Sequence, residues 1–177
     1  HLGNLEEARN FYQKAMDNNP DSERGLVGLG LIELNAANYL EAAKYFKDAL
    51  NINPANDRAL CGSGLVYAQS GKIEEAKKYF LESLERNIDN PPALTHLLQI
   101  SYQDENYEDV EDYMKRFLEI HPANLNVLFG LAGVQLKLNR LDEALDTLEL
   151  ILIFDPDHKD ALALKASFTA HHADIRS

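Results

Sequence analysis

Residues of one kind return every 34 positions along this 177-residue chain, and the spacing never slips. Ala8, Ala42, Ala76, Val110 and Ala144 form one series, and Pro20, Pro54, Pro122 and Pro156 a second, with Ile88 in the remaining slot. Leu26, Leu60, Leu94, Leu128 and Leu162 make a third, and Tyr12, Phe46, Phe80, Met114 and Leu148 a fourth. A fixed period of this length describes a stack of like units, each touching mainly its neighbours. Inside a unit the apolar residues recur with helical spacing: Leu26, Leu29, Gly30 and Ile32 on one segment, Ala42, Phe46, Ala49 and Leu50 on the next. Each unit is helix A, a tight turn, helix B and a short connection, so the chain is all-α with ten helices.

The punctuation between helices repeats as well. Ser22, Asn56, Asn90 and Asn124 stand just ahead of each helix A, where a side-chain oxygen can cap free N–H groups. Acidic pairs open helix B: Glu6 and Glu7, Glu74 and Glu75, Glu108 and Asp109, Asp142 and Glu143. Once per unit, such pairs serve the positive end of the helix dipole rather than acid–base catalysis. Gly71 marks one A–B turn, with Ala37, Glu105 and Asn139 at the others, so the turn does not demand glycine. Gly30 and Gly64 are placed where helix B approaches closely, opposite Ala42 and Ala76, while Phe46 and Phe80 fill the gap to the next unit.

This pattern resembles the tetratricopeptide repeat, carried in the second unit by Leu26, Leu29, Gly30, Ala42, Phe46, Ala49 and Pro54. The third unit is similar through Leu60, Gly64, Tyr67, Ala76 and Phe80. The resemblance implies a right-handed superhelical solenoid of antiparallel helix pairs. Residues 1–22 are helix B of a truncated repeat; 23–56, 57–90, 91–124 and 125–158 are full repeats; 159–177 are helix A of another plus a tail. Such boundaries suit a segment of a larger repeat protein. The repeat at 91–124 is atypical: Leu98 and Val110 replace small residues at the close crossing, and irregular geometry is expected there.

The resemblance also implies that helix A lines a concave groove. The residues that would face it are Arg24, Val27, Leu31, Arg58, Cys61, Leu65, Thr95, His96, Gln99, Tyr102 and Phe129, with Gly28, Gly62, Gly130 and Gly133 among them. Leu31, Leu65, Gln99 and Tyr102 are expected to share one continuous surface. An apolar strip with arginines and an aromatic suits an amphipathic helix or an extended peptide. The Lys and Asn with which chaperone-binding members hold a C-terminal carboxylate are absent, since Val27, Cys61, Thr95 and Phe129 stand in their place. The asparagine ladder of glycosyltransferase superhelices is missing too, at Gly28, Gly62, His96 and Gly130.

Composition narrows the function. A net charge of −12 leaves no basic stripe for nucleic acid and no attraction to an anionic membrane. The longest apolar run, Leu148 to Phe154, is too short to span a bilayer. The single cysteine, Cys61, permits no internal disulfide and fits a reducing, cytoplasmic setting. No histidines pair at metal-ligand spacing, His171 and His172 being adjacent, and no catalytic constellation or cofactor motif is present. The expected function is a non-catalytic protein–protein interaction scaffold for a protein or peptide partner. A substrate-positioning or regulatory arm of a larger enzyme, such as a glycosyltransferase, and a structural self-assembly unit are the alternatives. Leu150 and Ile153, three apart, place an apolar stripe where the full units carry Asp48, Glu82 or Arg116 and Asn51, Glu85 or Glu119, and could join two copies of the chain.

Overall fold

The computed structural model describes residues 2–175, with side chains over 5–168. Ten helices follow one another: α1 (Leu2–Asn18), α2 (Glu23–Asn35), α3 (Tyr39–Ile52), α4 (Asp57–Gln69), α5 (Ile73–Arg86), α6 (Pro91–Asp104), α7 (Glu108–Ile120), α8 (Leu125–Lys137), α9 (Leu141–Phe154) and α10 (Lys159–Ile175). There is no strand among the described residues. The chain forms two compact units, one ending at Ile100 and the other starting at Ser101. That boundary falls inside α6, in the atypical repeat.

The helix starts are set by the residues the sequence places there. Ser22, Asn56, Asn90 and Asn124 each accept a hydrogen bond from the backbone N–H three residues on, at 2.9–3.3 Å. Every A–B turn uses a left-handed residue: Ala37 (φ 59°), Gly71 (φ 73°), Glu105 (φ 54°) and Asn139 (φ 57°). Glycine is dispensable there, yet three side-chain-bearing residues hold a conformation that favours it.

In the first unit, an aromatic ring of helix B is seated on glycines of helix A. Phe46 is fully buried, and a Cβ at Gly30 would lie 2.7 Å from its ring. The same ring reaches the next repeat, where a Cβ on Gly62 would fall inside the ring's contact distance. Tyr12 covers Gly28 and Phe80 covers Gly64 in the same manner. The small residues therefore make room for the ring of helix B, and Ala42 and Ala76 on the same helices are fully buried. In the second unit Leu128, Ala132, Leu148, Ile151 and Ala161 form one buried cluster, and Val110, Met114 and Phe117 are buried as well.

Polar side chains beside this core close each repeat on itself and, through Arg9 and Glu33, tie one repeat to the next. Glu23 accepts from the Nδ2 groups of Asn53 (2.9 Å) and Asn56 (2.8 Å). One period later Asp57 accepts from Asn87 (3.0 Å) and Asn90 (3.2 Å). Buried Glu33, in the place of the family's usual tyrosine, accepts from Arg9 and from Asn38 Nδ2 (2.7 Å). No buried side-chain N or O among the described residues lacks a partner.

Two outcomes follow from this packing. Gly62→Ala forces a methyl group against the Phe46 ring and should cost about 1–3 kcal/mol, read from the denaturant midpoint; an unchanged midpoint would contradict the seat. The hydrogen bonds from Asn38 and then Arg9 hold the Glu33 carboxyl below its ordinary value of 4.5. A depressed folded-state pKa means the stabilisation is complete above about pH 4.5 and is lost as pH falls through the lower folded value. Glu33→Gln should accordingly be less stable at neutral pH and show a shallower loss on acidification, measured by urea unfolding across that range.

Candidate functional site

The exposed edge of the A helices in the first unit is built from residues one period apart. Arg24 and Arg58 stand exposed in the first turns of α2 and α4. Leu31 and Leu65, two turns on, are half-buried, and Asn35 and Gln69 follow as exposed amides. Neither arginine is ion-paired among the described residues, in a chain rich in carboxylates. The face therefore offers two aliphatic patches between guanidinium and amide groups.

Two residues expected on it are inside the protein. Val27 is 2% exposed and Cys61 5%. The aromatic rings of the preceding B helices sit on Gly28 and Gly62 beside them, so helix B covers this flank of helix A. Gly28 and Gly62 are seats for those rings, not groove residues. Burial, with Asp57 adding to it, pushes the Cys61 thiol up to about 12. Where the third glycine would be, His96 stacks on Phe80 with centroids 5.4 Å apart, and its Nδ1 lies 3.0 Å from Gln99 Oε1. Thr95 is exposed, but its hydroxyl donates to Pro91 O at 2.9 Å within its own helix. Gln99 is exposed beside it.

The second unit has its own helix-A residues. Tyr102 is 43% exposed and held from two sides: edge-on to Tyr107 at 5.5 Å, and below Lys137, whose ammonium lies 6.0 Å from the ring centre. Its hydroxyl occupies the space beside Gly133, where a Cβ would be 2.7 Å away. Burial chiefly, and then Tyr107, raises the Tyr102 pKa. Phe129 is half-buried and stacked on His158 at 5.8 Å. On α9, Leu150 (38%), Ile153 (74%) and Phe154 (46%) are exposed apolar residues.

One feature was not anticipated from the sequence. A cavity of about 550 Å3 opens between α3, α4 and α5, lined by Ala43, Leu50, Val66, the stacked rings of Tyr67 and Tyr79, and Lys72. Its signal is a small residue, Ala43, at a position where the other B helices carry the longer Arg9, Lys77, Glu111 and Leu145. Among the described residues no cluster of His, Cys, Asp and Glu could hold a metal, and no helix is long and apolar enough to cross a membrane. The side chains of His171 and His172 lie outside the described residues.

Comparison with known proteins fits this geometry. Family models for the tetratricopeptide repeat match residues 33–99 and 101–168, and residues 1–58. No curated protein matches the chain. Among solved structures it is similar to YrrB, a repeat protein with an unusual peptide-binding site (21% identity, 92% of this chain and 84% of that one, TM-score 0.74). It is similar also to pilF of Pseudomonas aeruginosa (19%, 99% and 80%, TM-score 0.76) and to MamA (14%, 88% and 85%, TM-score 0.67).

The position of Cys61 is directly testable. At about pH 8 a thiol reagent should leave the native protein unlabelled over a period in which the urea-unfolded chain reacts fully. Rapid stoichiometric labelling of the native chain would return Cys61 to the surface.

Proposed function

The chain belongs to the tetratricopeptide-repeat family, and on that premise we propose that it is a non-catalytic interaction scaffold. Its helix-A face in the first unit takes a peptide or amphipathic helix. The observation that carries this reading is the pairing of half-buried Leu31 and Leu65 with exposed, unpaired Arg24 and Arg58. Leucines one period apart accept aliphatic anchors, and the arginines select acidic residues beside them. The peptide-binding site of YrrB, a neighbour in fold, supports the same use of a repeat surface here. Tyr102, steadied by Tyr107 and Lys137, gives the second unit an aromatic contact of its own. Panning a random peptide library on the protein should return sequences that combine aliphatic and acidic residues. Arg24→Ser/Arg58→Ser should weaken those peptides about tenfold, in line with two exposed charge contacts of ~0.2–1 kcal/mol each, with an unchanged melting temperature. Unchanged affinity in that variant would overturn the assignment of the face.

Self-assembly is a second reading, favoured by the exposure of Leu150, Ile153 and Phe154 on one stripe of α9. Light scattering over a concentration series should show association that Leu150→Glu/Ile153→Glu abolishes. A protein monomeric at all concentrations rejects it.

A further inference from the structure

The cavity between α3, α4 and α5 becomes informative when its residues are compared with those in register with them. In the second unit the equivalent place is closed by an acid. Glu111 on α7 accepts from Arg140 Nη1 through both oxygens, at 3.0 and 2.9 Å, and its Oε1 lies 2.6 Å from Lys115 Nζ. Two periods earlier, Lys115 corresponds to Lys47, Arg140 to Lys72, and Glu111 to Ala43. One period before that, Arg9, Glu33 and Asn38 close the same place with a different polar knot. Between α3 and α5 both cations of the trio are thus present and the acid is missing.

What stands there instead is open space. Lys47 and Lys72 line the cavity together, no carboxylate does, and neither lysine is ion-paired among the described residues. Lys72 rests its ammonium 5.7 Å from the Tyr67 ring centre, a weak partner beside a carboxylate. Ala43, Leu50, Val66 and the Tyr67–Tyr79 stack make the apolar and aromatic part of the lining, and Asn51, Ser63 and Ser70 add neutral polar groups. A volume of about 550 Å3 lies within the range of small-ligand sites. It exceeds what the single side chain of Glu111 fills in the second unit.

We propose that this cavity is a second binding site, which takes an acidic side chain of a partner peptide together with a flanking aliphatic residue. The carboxylate sits between Lys47 and Lys72, where Glu111 sits between Lys115 and Arg140. The aliphatic neighbour covers Leu50 and Val66, and the tyrosine stack forms the wall. The chain's net charge of −12 makes a two-lysine cavity free of carboxylates a local exception to the surrounding field, and it is the carboxylate that this exception selects. The site is separate from the helix-A face and stands without it.

The test is a titration followed by amide chemical shifts, using N-acetylated Leu-Glu-Leu amide, its Leu-Gln-Leu counterpart and sodium pentanoate. The glutamate peptide should shift Tyr67, Lys72 and Tyr79 saturably, with the glutamine peptide and pentanoate each at least fivefold weaker. Ala43→Glu supplies the missing acid from within, so it should keep or raise the melting temperature and abolish binding. Lys47→Gln/Lys72→Gln, which leaves the cavity open, should weaken the glutamate peptide about tenfold. Arg24→Ser/Arg58→Ser should leave this titration untouched, which separates the site from the helix-A face. Equal binding of the glutamine peptide, or full binding by the lysine double variant, overturns carboxylate recognition. Pentanoate binding as tightly as the peptide overturns a peptide as the occupant.

Discussion

Seating a ring on glycine fixes the distance between helices in the first unit. Phe46 touches Gly30 of its own repeat and Gly62 of the next, so one side chain sets both the spacing within a pair and the spacing between pairs. A side chain at either glycine would have to displace a fully buried ring, not the tip of a flexible chain. The rest follows from that spacing. With helix B held so close, the flank of helix A bearing Val27 and Cys61 is covered, and the free edge is left to Arg24, Leu31, Arg58 and Leu65.

Beside the apolar packing the polar contacts vary from repeat to repeat. Arg9, Glu33 and Asn38 fill the space between B helices in one repeat, and Glu111, Lys115 and Arg140 fill it in another. The same space tolerates either arrangement of charge because buried apolar residues carry the packing, rings on glycine in the first unit and Met114 and Leu148 in the second. It also tolerates neither, which is how a cavity can open at Ala43 without disturbing Phe46 or Phe80, both fully buried.

Periodicity made the helices, the caps and the turns legible. Ser22, Asn56, Asn90 and Asn124 behave as their position in the repeat requires, because capping is local chemistry within four residues. The site was legible only in part. Leu31, Leu65 and Tyr102 are accessible to some degree, whereas Val27 and Cys61 are not. The difference lies in a ring from another helix, and one helix's own pattern does not reveal what lies over it. The cavity was harder still, since it depends on residues of three helices and on an acid that is not there.

The hydrogen-bonded ties at the repeat junctions are unevenly distributed. Glu23 with Asn53 and Asn56, and Asp57 with Asn87 and Asn90, join the first turn of a helix A to the end of its own repeat, where Asn56 and Asn90 also cap the next helix A. In register with Glu23 and Asp57, the later repeats carry Pro91, Leu125 and Lys159, none of which can accept such bonds from its side chain. In a linear array the coupling between neighbours determines how far an opening spreads before it is stopped. An opening at the start of α2 or α4 should therefore loosen the cap of the following helix A as well, a link that the later repeats replace with ion pairs such as Glu111–Arg140 and Glu149–Lys165.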